Sequence, residues 1–233
     1  MRWDDDGRVR DQYATTANLE ARTVVWDGSA PQDLVIATHR DAGARRVLDA
    51  GAGRGQLAKR IREEVGCRVL ALDASSAMVE ACRARGLDAV RGDVRDLPFA
   101  AGSVDTVVAA WMLYHVSPLA SALAEFVRVL TPGGTLVAVT NGRDHLAGLW
   151  SLAGLGHAEP PFSSENGTAS LTPFVATLER YDVGTVARFP DRATAARYLE
   201  SAGVTDAEER LPADGWPRSI AGATTVFIGR TET

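Results

Sequence analysis

A doubly wound α/β fold is what the sequence predicts, and three observations predict it. Short β-branched runs alternate with stretches of helical spacing across residues 46–140. The runs are continuously apolar instead of alternating, the pattern of strands buried on both faces of a parallel sheet. A glycine-rich loop, Gly51-Ala52-Gly53-Arg54-Gly55, follows the first run and opens the first helix after it, the place where doubly wound sheets receive ligands. The right-handedness of strand–helix–strand crossovers then selects the architecture.

In chain order, Arg8–Val25 and Gln32–Ala42 carry helical spacing ahead of the sheet. Arg46–Ala50 is the first strand, and Gln56–Val65 places Leu57, Ile61 and Val65 on one helix face. Arg68–Leu72 is the second strand, and Ser75–Arg85 the next helix, with Ser75 as N-cap. Asp88–Arg91 and Val104–Ala110 are the third and fourth strands. Ser117 and Pro118 read as the N-cap and first residue of a helix ending near Leu130. Its buried stripe is Leu119, Leu123, Phe126, Val127 and Leu130. Thr131–Gly134 is a turn and Thr135–Thr140 the fifth strand. Beyond it the pattern loosens: short helices over Asp144–Trp150 and Ser164–Leu171 flank a Pro-rich loop, His157–Phe162. Tyr181–Phe189 alternates as a strand, Arg192–Ala202 is helical, and Thr224–Gly229 is a last strand. No linker divides the chain, so one domain spanning 1–233 is expected.

Of the 233 residues, 45% are hydrophobic and 24% charged, which excludes disordered, collagen-like and coiled-coil chains. The net charge of -5 argues against broad binding to nucleic acid or an anionic membrane. Cys67 and Cys82 are too few for a disulfide framework or a zinc site and read as buried thiols; no metal is expected. No apolar run approaches the roughly 20 residues of a membrane span, and Met1–Asp6 lacks a signal-peptide core, so a cytoplasmic protein is expected. Lys59 is the only lysine, the mark of a GC-rich coding sequence. Nothing decides between monomer and homodimer.

The glycine loop departs from the dinucleotide fingerprint, which needs glycine at its sixth place; here Gln56 stands there and Gly55 one place earlier. Asp49 precedes the loop. Its carboxylate repels a pyrophosphate and attracts an ammonium-bearing ligand. Asp73 ends the second strand, at a spacing that suits a ribose diol. Asp93 and Val94, just past the third strand, are placed to read the edge of an adenine, by carboxylate and backbone N–H; Asp96 reads as a turn cap.

Five segments in order resemble the class I S-adenosylmethionine-dependent methyltransferases, in the small-molecule branch similar to ubiquinone-biosynthesis methyltransferases. They are VLDAGAGRG (47–55), ALDASSAM (71–78), RGDVRDLPF (91–99), VDTVVAAWMLYHV (104–116) and RVLTPGGTLVAVT (128–140). The resemblance implies a Rossmann-like, mostly parallel seven-stranded sheet whose last strand is antiparallel. It divides the domain into an N-terminal helical cap (1–42), a cofactor-binding core (43–140), and a substrate lid with C-terminal strands (141–233). It implies S-adenosylmethionine as cofactor and S-adenosylhomocysteine as product. Asp49, Ala50 and the backbone of Gly51 and Gly53 then hold the methionine moiety, and Asp73 the ribose. Ala74 and Met78 pack on adenine, Asp93 and Val94 read its edge, and Ala110 and Trp111 line the cleft. Relatives often carry a polar residue where Ala110 stands. Tyr13 matches the tyrosine that often closes over the cofactor, and Arg22 is a candidate for the cofactor carboxylate or a solvent ion pair.

Methyl transfer needs in-line alignment and exclusion of water; a base is needed only when the acceptor arrives protonated. His115 and His145 are the candidate bases, with a structural role open for His115. His39 reads as a surface residue, His157 as a loop or lid residue, and Tyr114 as core or substrate-orienting. Specificity is expected from Asn141–Phe174 and the N-terminal helix. Trp111, Trp150 and Phe162 are candidates for an aromatic pocket, and Glu165-Asn166-Gly167 caps a helix or faces the substrate. The reading is methyl transfer to a small molecule at oxygen, nitrogen or carbon, in secondary metabolism. The alternatives are a cofactor-binding protein that transfers no methyl group and, disfavoured by Asp49 and Gln56, an NAD-dependent oxidoreductase.

Overall fold

The computed structural model describes residues 7, 12–16, 25–27, 31–156 and 160–233. One sheet organises them. Its strands are β1 (Val25–Asp27), β2 (Arg46–Ala50), β3 (Arg68–Asp73), β4 (Asp88–Arg91), β5 (Val104–Ala110), β6 (Leu130–Asn141), β7 (Thr177–Phe189) and β8 (Arg218–Arg230). Their spatial order is β1-β7-β8-β6-β5-β2-β3-β4. The pairs among β4, β3, β2, β5 and β6 are parallel, and β8 runs antiparallel between β6 and β7. The seven expected strands are therefore present with the last one reversed, and the three-residue β1 adds an eighth at the edge of β7.

Period-two alternation decides which side each strand residue serves. Val47, Val69, Val108, Val137 and Val139 point to one face, where α1 (Pro31–Asp41), α2 (Gln56–Val65) and α3 (Ser76–Ala84) cover them. Leu48, Leu72, Val107, Leu136 and Ala138 point to the other, against Leu123, Phe126 and Val129 of α4 (Leu119–Val129). Burying each such side chain contributes about 1.5–3 kcal/mol, so the central strands are anchored from both sides. A third cluster joins the end of β7 to α5 (Ala147–Leu152), α7 (Arg192–Ser201) and α8 (Ala207–Arg210); α6 (Gly167–Leu171) lies between α5 and α7 in the chain. Ser75 caps α3 as expected, its hydroxyl accepting from the Met78 N–H. Cys67 and Cys82 are free, buried thiols. Among the described residues no helix is long and apolar enough to cross a membrane.

Three expectations are corrected. The helix expected over Arg8–Val25 is not continuous: 13–16 form a turn and bends, and Val25 begins β1. The remainder of that stretch, with Arg22, lies outside the described residues, as does His157. The helix after β5 starts at Leu119 with Pro118, not Ser117, at its N-cap; a 3-10 turn, Leu113–His115, comes before it. His39 is not on a surface. It is fully buried on α1, its Nδ1 2.6 Å from the Val35 carbonyl, and burial pushes its pKa below the ordinary histidine value. The helical stripe of Val35 and Ile36 turns His39 inward as well, because α1 is covered on more of its girth than its polar residues indicate.

Gly55 shows how tightly the first helix meets its neighbours. Its φ is +74°, and an added Cβ would sit 2.7 Å from Leu87 Cδ1 and 2.8 Å from Cys82 Sγ. Gly55→Ala is therefore expected to destabilise the protein by about 2–3 kcal/mol, from a left-handed conformation and overpacking together. Denaturant unfolding checks this; a loss under about 0.5 kcal/mol would show that the neighbours yield.

Candidate active site

At the carboxyl ends of β2, β3 and β5 a cavity of about 1050 Å³ opens between the first strand–helix loop and the turn after β5. That is at the upper limit of the roughly 300–1,000 Å³ of small-molecule sites. The glycine loop forms one wall. The N–H groups of Gly51 and Ala52 both donate to the Leu72 carbonyl, at 2.8 and 3.0 Å, which ties the loop to the end of β3. Gly51 has φ +71°, and a Cβ there would meet Met112 Cγ at 2.8 Å. Only glycine lets the loop pass this close to the turn after β5.

Two carboxylates stand in this wall. Asp49, at 2% exposure, is buried on β2, and burial, with the Asp73 charge adding to it, pushes its pKa up to about 7. The backbone N–H of Ala58 opposes that rise, but Oδ2 of Asp49 has no hydrogen-bond partner. Asp73 accepts from the N–H of Gly53 and of Ser75, each at 2.9 Å; burial still raises its pKa. A buried carboxylate oxygen without a partner calls for a donor, and here it lines a cavity. The pair of carboxylate acceptors therefore fits a ligand with an ammonium group beside a hydroxyl-bearing ring.

Around the wall, Ala74, Asp93, Val94, Ala110 and Trp111 line the cavity. Ala50 and Met78 do not: both are fully buried in the core. Asp93 holds Arg95 by an ion pair at 2.7 Å and accepts its N–H at 2.9 Å, which stiffens the loop after β4. Trp111 adopts φ +54°, uncommon for a bulky residue. It is held there by its N–H to the Val139 carbonyl (2.8 Å) and its indole Nε1 to Asn141 Oδ1 (3.1 Å).

Across the mouth lies Tyr13. Its carbonyl accepts from Ser75 Oγ at 2.7 Å, and its hydroxyl lies 2.9 Å from His115 Nε2. One residue of the N-terminal segment thus bridges the end of β3 and the turn after β5. His115 lines the cavity, with Tyr114 packed edge-on against its ring at 4.5 Å.

His145 does not line the cavity. Its Nδ1 lies within 3.2 Å of the backbone N and O of Ala223, fastening the loop after β6 to β8. Nor does any described residue of 141–233 reach the cavity wall. The segment expected to act as lid instead packs on β7 and β8. Phe162 is buried edge-on against Phe227, and Trp150 belongs to the C-terminal cluster, so neither joins Trp111 in an aromatic pocket. Glu165 accepts from the Arg143 N–H and Asn166 from the Ser163 N–H, while Gly167 lies against Phe227, so the three shape a helix start. The structure adds cavity residues that the sequence reading passed over: Gln32, Arg54, Arg95, Met112 and Val116. Arg54 sat in view between two glycines; the others carry no local signal. Among the described residues no cluster of side chains could hold a metal ion.

Comparison with known proteins points to one family. A family described as methyltransferase domain matches residues 48–138, the span from the glycine loop to β6. An uncharacterized methyltransferase of Mycobacterium tuberculosis is 42% identical over 109 residues, covering 46% of this chain and 44% of that protein. The chain thus matches less than half the length of that relative. A malonyl-[acyl-carrier protein] O-methyltransferase of Serratia marcescens is 30% identical over 212 residues, covering 82% of this chain and 80% of that protein. Among solved structures, the YcgJ protein of Bacillus subtilis superposes with a TM-score of 0.64 at 20% identity, over 87% of this chain and 98% of that one; at that identity the likeness is one of fold.

The raised pKa of Asp49 has a measurable consequence. Below about pH 4 the group is protonated in both the folded and unfolded chains. Between there and about 7 the unfolded chain ionises first, so stability falls as pH rises. Above that range both forms are ionised and the penalty stays at its full size, at most about 4 kcal/mol. Asp49→Asn removes it. The ligand-free variant is expected to melt several degrees above the parent at pH 8 and level with it near pH 4; equal melting at pH 8 would show that Asp49 is solvated and unshifted.

Proposed function

This chain belongs to the class I S-adenosylmethionine-dependent methyltransferase family, and we propose that it methylates a small molecule held between Trp111, His115 and Tyr13. The single observation that carries the placement of the cofactor is the buried, unpartnered Oδ2 of Asp49 in the cavity wall. The ammonium of the methionine moiety meets that oxygen, and the backbone of Gly51 and Gly53 lies alongside. Asp73 retains lone pairs beyond those given to Gly53 and Ser75, and these accept the ribose hydroxyls. Ala74 and Val94 flank the adenine, and Asp93 accepts its amino group while keeping Arg95. Residues 43–140 supply these contacts, so they are the cofactor-binding core.

S-adenosylmethionine supplies a methyl carbon already activated by its sulfonium. The work left to the protein is alignment and exclusion of water. Ala110 and Trp111 fix one wall, and the positive φ of Trp111, locked by Val139 and Asn141, sets the angle of the indole. Tyr13 closes the mouth through His115 and Ser75. An acceptor that arrives as a hydroxyl or N–H loses its proton to the His115–Tyr13 pair, and the proton ends on the imidazole. His145, bonded to Ala223, takes no part in this step.

Three measurements test the reading. Calorimetry with S-adenosylhomocysteine, S-adenosylmethionine and NAD is expected to show micromolar binding of the two sulfur ligands and none of NAD; binding of NAD alone would overturn the cofactor. Asp73→Ala is expected to weaken S-adenosylhomocysteine about 10- to 100-fold, the loss of charge-assisted hydrogen bonds; an unchanged dissociation constant removes the ribose assignment. With an acceptor found by screening, His115→Ala is expected to lower kcat by about 10²–10⁴ and flatten its pH profile, with a smaller loss for Tyr13→Phe. Full turnover at every pH in both variants would mean that catalysis is positional and the acceptor needs no base.

A further inference from the structure

Among the described residues, the outer edge of β7 is open over most of its length. Its inner edge pairs with β8 along its whole length, from Thr177 opposite Arg230 to Phe189 opposite Arg218. On the outer side β1 covers only Val186–Arg188. Among the described residues, Thr177–Thr185 meets no strand there. A row of unpaired backbone donors and acceptors is a template for another strand. Tyr181 and Val186, the exposed large hydrophobics of the described residues, both lie on this strand, at 40% and 36% exposure.

The charges on this edge indicate what pairs with it. The stretch reads Leu178-Glu179-Arg180-Tyr181-Asp182-Val183-Gly184, with opposite charges symmetrically about Tyr181. Lay it antiparallel on a second copy, with the two-fold axis at Tyr181. Arg180 then stands opposite the partner's Asp182, and Asp182 opposite the partner's Arg180. Leu178 faces the partner's Gly184, and the two Tyr181 rings meet on the axis. Moving the axis one residue sets two arginines or two aspartates directly opposite, which is destabilising. In the free protein Arg180 pairs with Asp182 on its own strand, at 2.9 Å; Asp182 also accepts from the Thr225 hydroxyl of β8, and the Arg180 guanidinium lies over the Phe227 ring, so pairing across the axis exchanges these contacts for the partner's charges. Charges of this kind usually blunt an edge against indiscriminate pairing; here they are self-complementary and select one register.

We propose that the chain forms a homodimer by antiparallel pairing of the two β7 edges about Tyr181. No residue of β7 or β8 lines the cavity, so both sites stay open in the dimer. An edge of this length buries less than the roughly 1,200–2,000 Å² of a stable interface, which makes the dimer reversible and concentration-dependent.

Sedimentation equilibrium of the full chain, from about 1 to 200 µM, tests this against the micromolar affinity of a small interface. The expected result is a monomer–dimer equilibrium. R180D opposes two acids and is expected to weaken the dimer at least tenfold; D182R is expected to act likewise. The exchange variant R180D/D182R restores the opposite charges and is expected to recover the parent's association. Thermal melting of each variant separates loss of association from loss of fold. A parent that stays monomeric across the range overturns the proposal, as does a dimer indifferent to either single reversal. Failure of the folded double variant to re-associate overturns it too.

Discussion

Two acidic side chains, one buried and one half-buried, at the ends of adjacent strands constrain everything around the site. Asp49 stands on β2 and Asp73 at the end of β3, and parallel pairing puts them at the same edge of the sheet. Their charges cannot both be comfortable there without donors. Asp73 has found two in the backbone, from Gly53 and Ser75. Those two bonds define the shape of the glycine loop and the start of α3. Asp49 has only partial help, and its carboxyl stays poised near neutrality. The loop is therefore built around a carboxylate short of hydrogen-bond donors, an arrangement common where burial and like charge shift a group for function.

The loop's glycines divide that labour. Gly51 yields space to Met112, so that the loop after β2 and the turn after β5 converge on one cavity. Gly55 yields space to Cys82 and Leu87, so that α2 can lie against α3 and the start of β4. One serves the cavity and the other the core, although they are four residues apart. Cys82 belongs to the same packing: its thiol donates to the Gly53 carbonyl, and burial beside Asp49 and Asp73 pushes it up to about 11. It is an inert structural thiol under ordinary conditions.

The opposite wall depends on contacts between distant segments. Tyr13 and His115 are 102 residues apart and meet at 2.9 Å. Trp111, Asn141 and Thr224 share one hydrogen-bonded cluster through Asn141 Oδ1. That cluster links the turn after β5 to β6 and β8, and so couples the reversed strand to the cavity it does not line. The C-terminal third thus contributes rigidity to the site and leaves its surface to the N-terminal half.

What was legible in the sequence was whatever local spacing encodes. Strands β2 to β6, their helices, the glycine loop and the acids Asp49, Asp73 and Asp93 follow from periodicity, turn chemistry and position after a strand. The reversed final strand and the tyrosine over the mouth came from family resemblance. Tertiary structure alone decided the rest. It turned His39 inward, placed Ala50 and Met78 in the core, tied His145 to Ala223, and kept Trp150 and Phe162 off the cavity that Trp111 lines. It also began β1 at Val25, the last residue of a stretch whose spacing reads as helix. The physical reason is common to these cases. Apolar periodicity says that a residue is buried, but not against which element, because long-range packing and backbone pairing choose among burial sites of nearly equal local cost.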